Sequence, residues 1–154
     1  MVLTLVCASD FRYFKFLKQL LNNVVNIITG ELYKDKNVNL VVYDLGLEKE
    51  QLEEIKKLYS DNIILETFDF SLYPEHVSLE KYYGKTCSYA WKPIIIYDVC
   101  EKYGDLVYWM DTRNLYRPQT FIQLSNWLLG NFLYSPTSNC YIHRWTHIKC
   151  REYM

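Results

Sequence analysis

Net charge is nearly absent from this chain. Seventeen Lys and Arg stand against eighteen Asp and Glu, for a formal charge of −1 and a pI of about 6.3. That balance offers no electrostatic footprint for nucleic acid. Long apolar runs are also missing, and none approaches the roughly 20 residues that a membrane-spanning helix needs. The apolar run at residues 2–8 is too short for the core of a signal peptide, and no basic segment precedes it. A soluble chain that begins inside its first strand is therefore expected. No internal repeat or low-complexity segment is present. The first strand is not followed by G-x-G-x-x-G, and there is no P-loop, which argues against a dinucleotide-binding dehydrogenase and a P-loop NTPase. There is no G-x-S-x-G elbow either, and no organic cofactor is expected. The cysteines (Cys7, Cys87, Cys100, Cys140 and Cys150) are odd in number and scattered. They indicate no disulfide framework, so a reducing compartment, the cytoplasm, is the expectation. Cys7 and Cys100 sit on apolar elements and read as small buried residues.

What the chain does have is aromatic residues and an alternating pattern. Its 154 residues fit a single domain spanning 1–154, which buries about 68–70% of the unfolded surface. Fifteen Tyr, seven Phe and four Trp read most simply as core in a composition rich in Lys, Asn, Ile and Tyr. The sharper alternative is a stacking surface for a base or a sugar. Residues 2–8 predict a central strand, ended by Ser9 and Asp10, either of which could cap the next helix. Residues 11–28 predict an amphipathic helix with Phe14, Leu17, Leu20, Leu21, Val24, Val25 and Ile28 inward. A strand follows at 39–43, or VNLVVYD with its flanks, and then the turn Asp44-Leu45-Gly46-Leu47. Residues 48–59 predict a helix with Leu47, Leu52, Ile55 and Leu58 inward and an acidic first turn. A third strand is expected at 62–66. The connection at 68–86 shows no period, and loops of that length are often functional.

The most informative stretch is YAWKPIIIYDVCEKYGDLVYWMDTRN, residues 89–114. Pro93 suits a helix's first turn, Ile95 and Val99 with Ile94 and Ile96 form an apolar face, and Gly104 suits a left-handed cap. The run Leu106-Val107-Tyr108-Trp109-Met110 reads as a strand covered on both faces. A helix at 119–129 follows, with Phe121, Leu124, Trp127 and Leu128 inward. The order β-α-β-α-β-loop-α-β-α argues an α/β fold, a Rossmann-like, mostly parallel sheet with helices on both faces. Right-handed crossovers place the second and third strands on one side of the first and the fourth on the other. The crevice at that switch point lies between the Ala8-Ser9-Asp10 exit and the Asp111 exit, where such sheets bind ligands.

That crevice collects Ser9, Asp10, Asp111, Arg113 and Lys92. Lys92 lies at a helix start, where a cation beside free N–H groups suits a diphosphate. The bland alternatives are a turn acid for Asp111, a solvated lysine for Lys92 and a loop arginine for Arg113. Cys140, His143, His147 and Cys150 have the spacing C-x2-H-x3-H-x2-C, which invites zinc. All four fall in one short stretch, however, whereas zinc ligand pairs usually come from two elements that fold back on each other. His76 reads as a loop histidine.

Four segments resemble GT-A fold glycosyltransferases, the nucleotide-diphospho-sugar transferases of the glycogenin-like branch. These are VCASDFRYFKFLKQLLNNVV, VVYDLGLEKEQLEEIKKL, residues 89–114 as the helix before a D-x-D strand, and YIHRWTH, which is similar to a W-T-H stretch of a eukaryotic and viral branch. The resemblance implies transfer of a sugar from a UDP- or GDP-sugar donor to a carbohydrate or protein acceptor, in the cytoplasm of a host cell if the origin is viral. It implies that Ala8, Ser9 and Asp10 hold the base and ribose, that Lys92 lies near the donor, and that Asp111 contacts the donor ribose or a Mn²⁺ or Mg²⁺ ion. Trp91, Asn114 and His147 are further candidates by the same resemblance. Arg113 stands where the family has its second, metal-binding acid. Arginine supplies no oxygen ligand, but it can neutralise a diphosphate directly. Three outcomes stay open: metal-independent chemistry, a metal held without Arg113, or no chemistry. The resemblance also implies an acceptor site in a segment beyond the one matched, so no catalytic base is named. The competing expectation is a degenerate, non-catalytic GT-A-like domain that binds a nucleotide sugar or serves as an interaction module. An open sheet edge predicts a homodimer in either case.

Overall fold

The strand β1 (Leu3–Ser9) lies at the middle of the molecule, and all seven of its residues are buried. A strand enclosed on both faces has no polar side to offer, which is why LTLVCAS carries so little polarity. The computed structural model describes residues 2–34, 36–78, 89–104 and 106–121. In chain order β1 is followed by α1 (Phe14–Ile28), β2 (Val38–Asp44), α2 (Lys49–Tyr59), β3 (Ile64–Thr67), α3 (Trp91–Tyr103) and β4 (Leu106–Trp109). The strands form one parallel sheet in the order β3-β2-β1-β4. The fold is thus α/β and Rossmann-like, with the fourth strand on the far side of the first, as the crossover rule requires.

Alternation along β1 divides the core in two. Leu3, Leu5 and Cys7 join Leu17, Leu20, Leu21 and Val24 of α1 and Ile55 and Tyr59 of α2 on one face. Val6 and Ala8 join Trp91, Ile95 and Val99 of α3 on the other. Each fully buried Leu or Val there is worth about 1.5–3 kcal/mol. The helices on the first face are also tied to each other, since Lys18 Nζ lies 2.6 Å from Glu54 Oε1 and the Tyr59 hydroxyl donates to Asn22 Oδ1 at 2.5 Å.

The expected elements and the observed ones differ at several positions. A 3₁₀ turn, Phe11–Tyr13, precedes α1, with Asp10 as its cap. Ile27 takes the buried position of α1, and Ile28 is only partly covered. In α2, Leu58 is 53% exposed and Tyr59 is buried instead. One step along a helix rotates a side chain by about 100°, and the phenol can bury its ring while its hydroxyl bonds to Asn22. Cys100 is exposed, in contrast to its expected burial. It faces away from the sheet between the buried positions Ile95 and Val99 and the helix end. The residues of β4 are all half-buried, because β4 is an edge of the described sheet and has a strand neighbour on one side only. The connection after β3 contains two 3₁₀ turns, Phe70–Leu72 and Glu75–Val77. At 118–121 the chain is helical, with Phe121 fully buried. The rest of that expected helix, the C-x2-H-x3-H-x2-C stretch with His147, and Cys87 lie outside the described residues. Among the described residues no helix is long and apolar enough to cross a membrane.

Candidate functional site

Two strand pairings of unequal length open the switch point. β1 pairs with β2 as far as Ser9 and Asp44, but with β4 only as far as Val6 and Trp109. One further bond, from Met110 N–H to the Val6 carbonyl at 2.7 Å, is the last link before the chain turns away. The turn closes with the Asn114 N–H on the Asp111 carbonyl at 3.0 Å. The Asp111 side chain is thereby left 54% exposed at the sheet's C-terminal edge.

The β1 side of the crevice is built by local hydrogen bonds. Ala8, Ser9 and Asp10 are all buried. The Ser9 hydroxyl donates to the Asp10 carbonyl at 3.0 Å, and the Ser9 carbonyl accepts the Leu45 N–H at 2.9 Å. The Asp10 carboxylate accepts the Arg12 N–H and Nε–H, both at 2.9 Å, and also an Arg12 Nη2 contact. The neighbouring turn is equally self-sufficient. The Asp44 carboxylate accepts the N–H groups of Gly46 at 2.7 Å and Leu47 at 2.6 Å, and the Gly46 carbonyl accepts the Phe11 N–H at 3.1 Å. The three residues expected to hold base and ribose do lie at the exit, but their side chains are engaged in holding the exit's own shape.

The cations come from the other elements. Lys92, in the first turn of α3, places its Nζ 3.4 Å from Asp111 Oδ2. The same ammonium lies 5.0, 5.7 and 5.4 Å from the ring centres of Tyr89, Trp91 and Trp109, a set of cation–π contacts. Tyr89 itself has φ +54°, the one positive φ outside glycine among the described residues. Arg113 reaches the opposite face, with its guanidinium carbon 5.0 Å from the Tyr13 ring centre and 5.5 Å from that of Phe16. It has no acid partner among the described residues. Asn114 takes part in the crevice through its backbone, whose N–H closes the turn on the Asp111 carbonyl. Trp91 is buried in the α3 core, and its indole N–H, like that of Trp109, is enclosed without a partner.

Sequence reasoning missed Arg12, Tyr13, Phe16, Tyr89 and Trp109 as neighbours of the crevice. Tyr13 and Phe16 carried a usable signal, since aromatics three residues apart at a helix start share a face. The contact between that face and Arg113 is long-range and has no sequence signature.

Among the described residues the crevice fits a divalent ion poorly. A hard cation is held by carboxylate and other oxygen ligands, with water or phosphate oxygens completing its shell. Asp111 supplies one carboxylate, already paired with an ammonium, Arg113 supplies none, and Asp10 and Asp44 are engaged in hydrogen bonds. No group of three or more His, Cys, Asp or Glu side chains able to hold a metal occurs among the described residues.

Elsewhere, burial pushes the Cys7 thiol up to about 12, so it remains a protonated, inert core residue. A concavity of about 360 Å³, lined by residues including Ile27, Gly30, Leu32 and Pro118, lies at the C-terminal end of α1. Because α1 runs back against the strands, that end is remote from the switch point. No protein-family model, curated protein or solved structure matches this chain.

Proposed function

We propose that the chain is a GT-A-like glycosyltransferase whose switch-point crevice binds the diphosphate of a UDP- or GDP-sugar. The observation that supports this most is the Arg113 guanidinium, without an acid partner among the described residues and packed on Tyr13 and Phe16 at the sheet edge. When the sugar's C1–O bond breaks, negative charge accumulates on the departing diphosphate. Arg113 and Lys92, on opposite faces of the sheet's end, would stabilise that charge as it forms. Exposed rings nearby, Phe11 at 51% and Tyr89 at 45%, suit the stacking of a base or sugar. The acceptor is a hydroxyl of a carbohydrate or protein. A reducing cytoplasm, with which the free thiols of Cys7 and Cys100 agree, and a homodimer are parts of the same proposal.

A second reading, a non-catalytic module that only holds the nucleotide sugar, is favoured by one specific observation. Every carboxylate at the crevice is already engaged, Asp10 by Arg12, Asp44 by two N–H groups and Asp111 by Lys92. General-base activation of an acceptor hydroxyl needs a proton acceptor, and among the described residues the crevice offers no carboxylate outside these pairings. Calorimetric titration with UDP, GDP and their sugars should show saturable binding, weakened about tenfold in Lys92→Ala, as expected for loss of a charge-assisted contact. Release of free nucleoside diphosphate upon adding acceptor separates the enzyme from the module. A folded sample that binds none of these ligands would end both readings.

A further inference from the structure

We infer that the crevice takes its oxyanion through Arg113 without a divalent ion, and that Asp111 is a positioning residue that holds Lys92. The inference rests on the diphosphate reading above for the nucleotide part of the ligand, but its chemistry concerns the anion alone. A divalent ion at such a site has one electrostatic task, to neutralise phosphoryl oxygens. Here the side chain two residues beyond Asp111 is a guanidinium, which supplies no oxygen ligand. Its guanidinium carbon lies 5.0 Å from the ring centre of Tyr13, at the end of the 3₁₀ turn, and 5.5 Å from that of Phe16 in α1, and no carboxylate pairs with it among the described residues. A ring-held guanidinium is pre-organised for two-point contact with an oxyanion.

Asp111 has a different partner. Its Oδ2 lies 3.4 Å from Lys92 Nζ, and three aromatic rings border the same ammonium. A metal ligated by this carboxylate would sit beside a like charge, the Lys92 ammonium. In the arrangement observed, the acid fixes where the lysine's charge sits. Arg113, Lys92 and Asp111 together thus carry one net positive charge, supplied by side chains alone.

The test uses inorganic pyrophosphate and UDP as probes on the intact chain, by calorimetry, in EDTA and in Mg²⁺. The wild type should bind both probes in EDTA as tightly as in Mg²⁺, or more tightly, because a free ion competes with the guanidinium for the same oxygens. Arg113→Ala should bind about tenfold or more weakly, the loss expected for hydrogen bonds to a charged group, and Arg113→Lys should fall between the two. Arg113 is exposed, so these variants should keep the wild-type melting temperature. Asp111→Asn should stay within about threefold of wild type, as for an exposed ion pair. Binding that vanishes in EDTA and returns with Mg²⁺, or that collapses in Asp111→Asn, would overturn the inference while leaving the donor reading intact. Pyrophosphate binding through Arg113 without any UDP binding would keep the inference and remove the donor reading. Failure of both probes to bind would remove both.

Discussion

Gly46 and Arg113 show how single residues shape the crevice. The turn after β2 requires φ +122° at Gly46, and a Cβ built there would meet nothing within 4 Å. The demand is therefore purely conformational: an L side chain is disfavoured by its own backbone, with no contribution from crowding. Gly46→Ala should destabilise the protein by about 1–3 kcal/mol, the range for a residue forced into a sparsely populated region. Urea denaturation would measure it as a lower midpoint at unchanged slope. Because the Gly46 carbonyl accepts the Phe11 N–H, the same variant should loosen the β1 exit and weaken any ligand bound there. Arg113 illustrates the converse, a residue whose surroundings are supplied by another element. Its ring contacts come from Tyr13 and Phe16, roughly a hundred positions earlier in the chain.

At the scale of elements, a polar network docks α3 on the sheet. The Tyr43 hydroxyl of β2 donates to Asp98 of α3, Lys102 lies 3.0 Å from Asp98, and the Tyr103 hydroxyl donates to Glu66 of β3 at 2.8 Å. Burial pushes the Asp98 carboxyl up, but the Tyr43 hydroxyl and Lys102 outweigh it and hold the group below the usual carboxylate range. Burial, then the bond to Asp98, pushes the Tyr43 phenol up. A carboxyl whose folded pKa is depressed contributes stability that is present above the unfolded value, near 3.9, and lost as pH falls through the folded one. Melting temperature should therefore decline as the solution is acidified below about pH 4. In Asp98→Asn this acid limb should be shallower, at some cost in stability near neutral pH. An identical acid limb in wild type and variant would show that the network contributes nothing to the docking of α3. Segment 111–118 is held to α1 in a similar way, since Asn23 bonds to both the N–H and the carbonyl of Tyr116, at 2.8 and 3.1 Å.

The molecule as a whole has a sheet whose described edges are β3 and β4, each four residues long and largely half-buried. Large side chains such as Leu72 at 74% and Tyr97 at 67% are exposed beside it. Partly covered edges and exposed apolar groups are the usual substrate for association. The homodimer proposed above predicts concentration-dependent sedimentation, with a fitted mass approaching twice that of the 18.6 kDa chain. A single monomeric species across the accessible concentration range would remove it.

Several features of this protein follow from sequence alone, because they depend on local physics. The parallel α/β class follows from unbroken apolar runs alternating with helical periods. VNLVVYD has the bounds of β2, and the far-side placement of β4 follows from crossover handedness. Asp10 as a cap and Pro93 in the first turn of α3 are equally local. Tertiary structure alone decided how each charge at the crevice is used. Asp10 is the exception, since its partner Arg12 is two residues away and the bond belongs to its cap. Asp111 finds Lys92 only because α3 crosses the sheet, and Arg113 finds Tyr13 only because β4 lies beside β1. Leu58 and Cys100 read as buried but are exposed, since an apolar residue faces the core only where its helix's azimuth on the sheet directs it. Periodicity reports that a face exists, and packing selects which residues occupy it. The fold of this chain is set by short-range patterns, and the placing of Arg113 by a contact with residues about a hundred positions away in the chain.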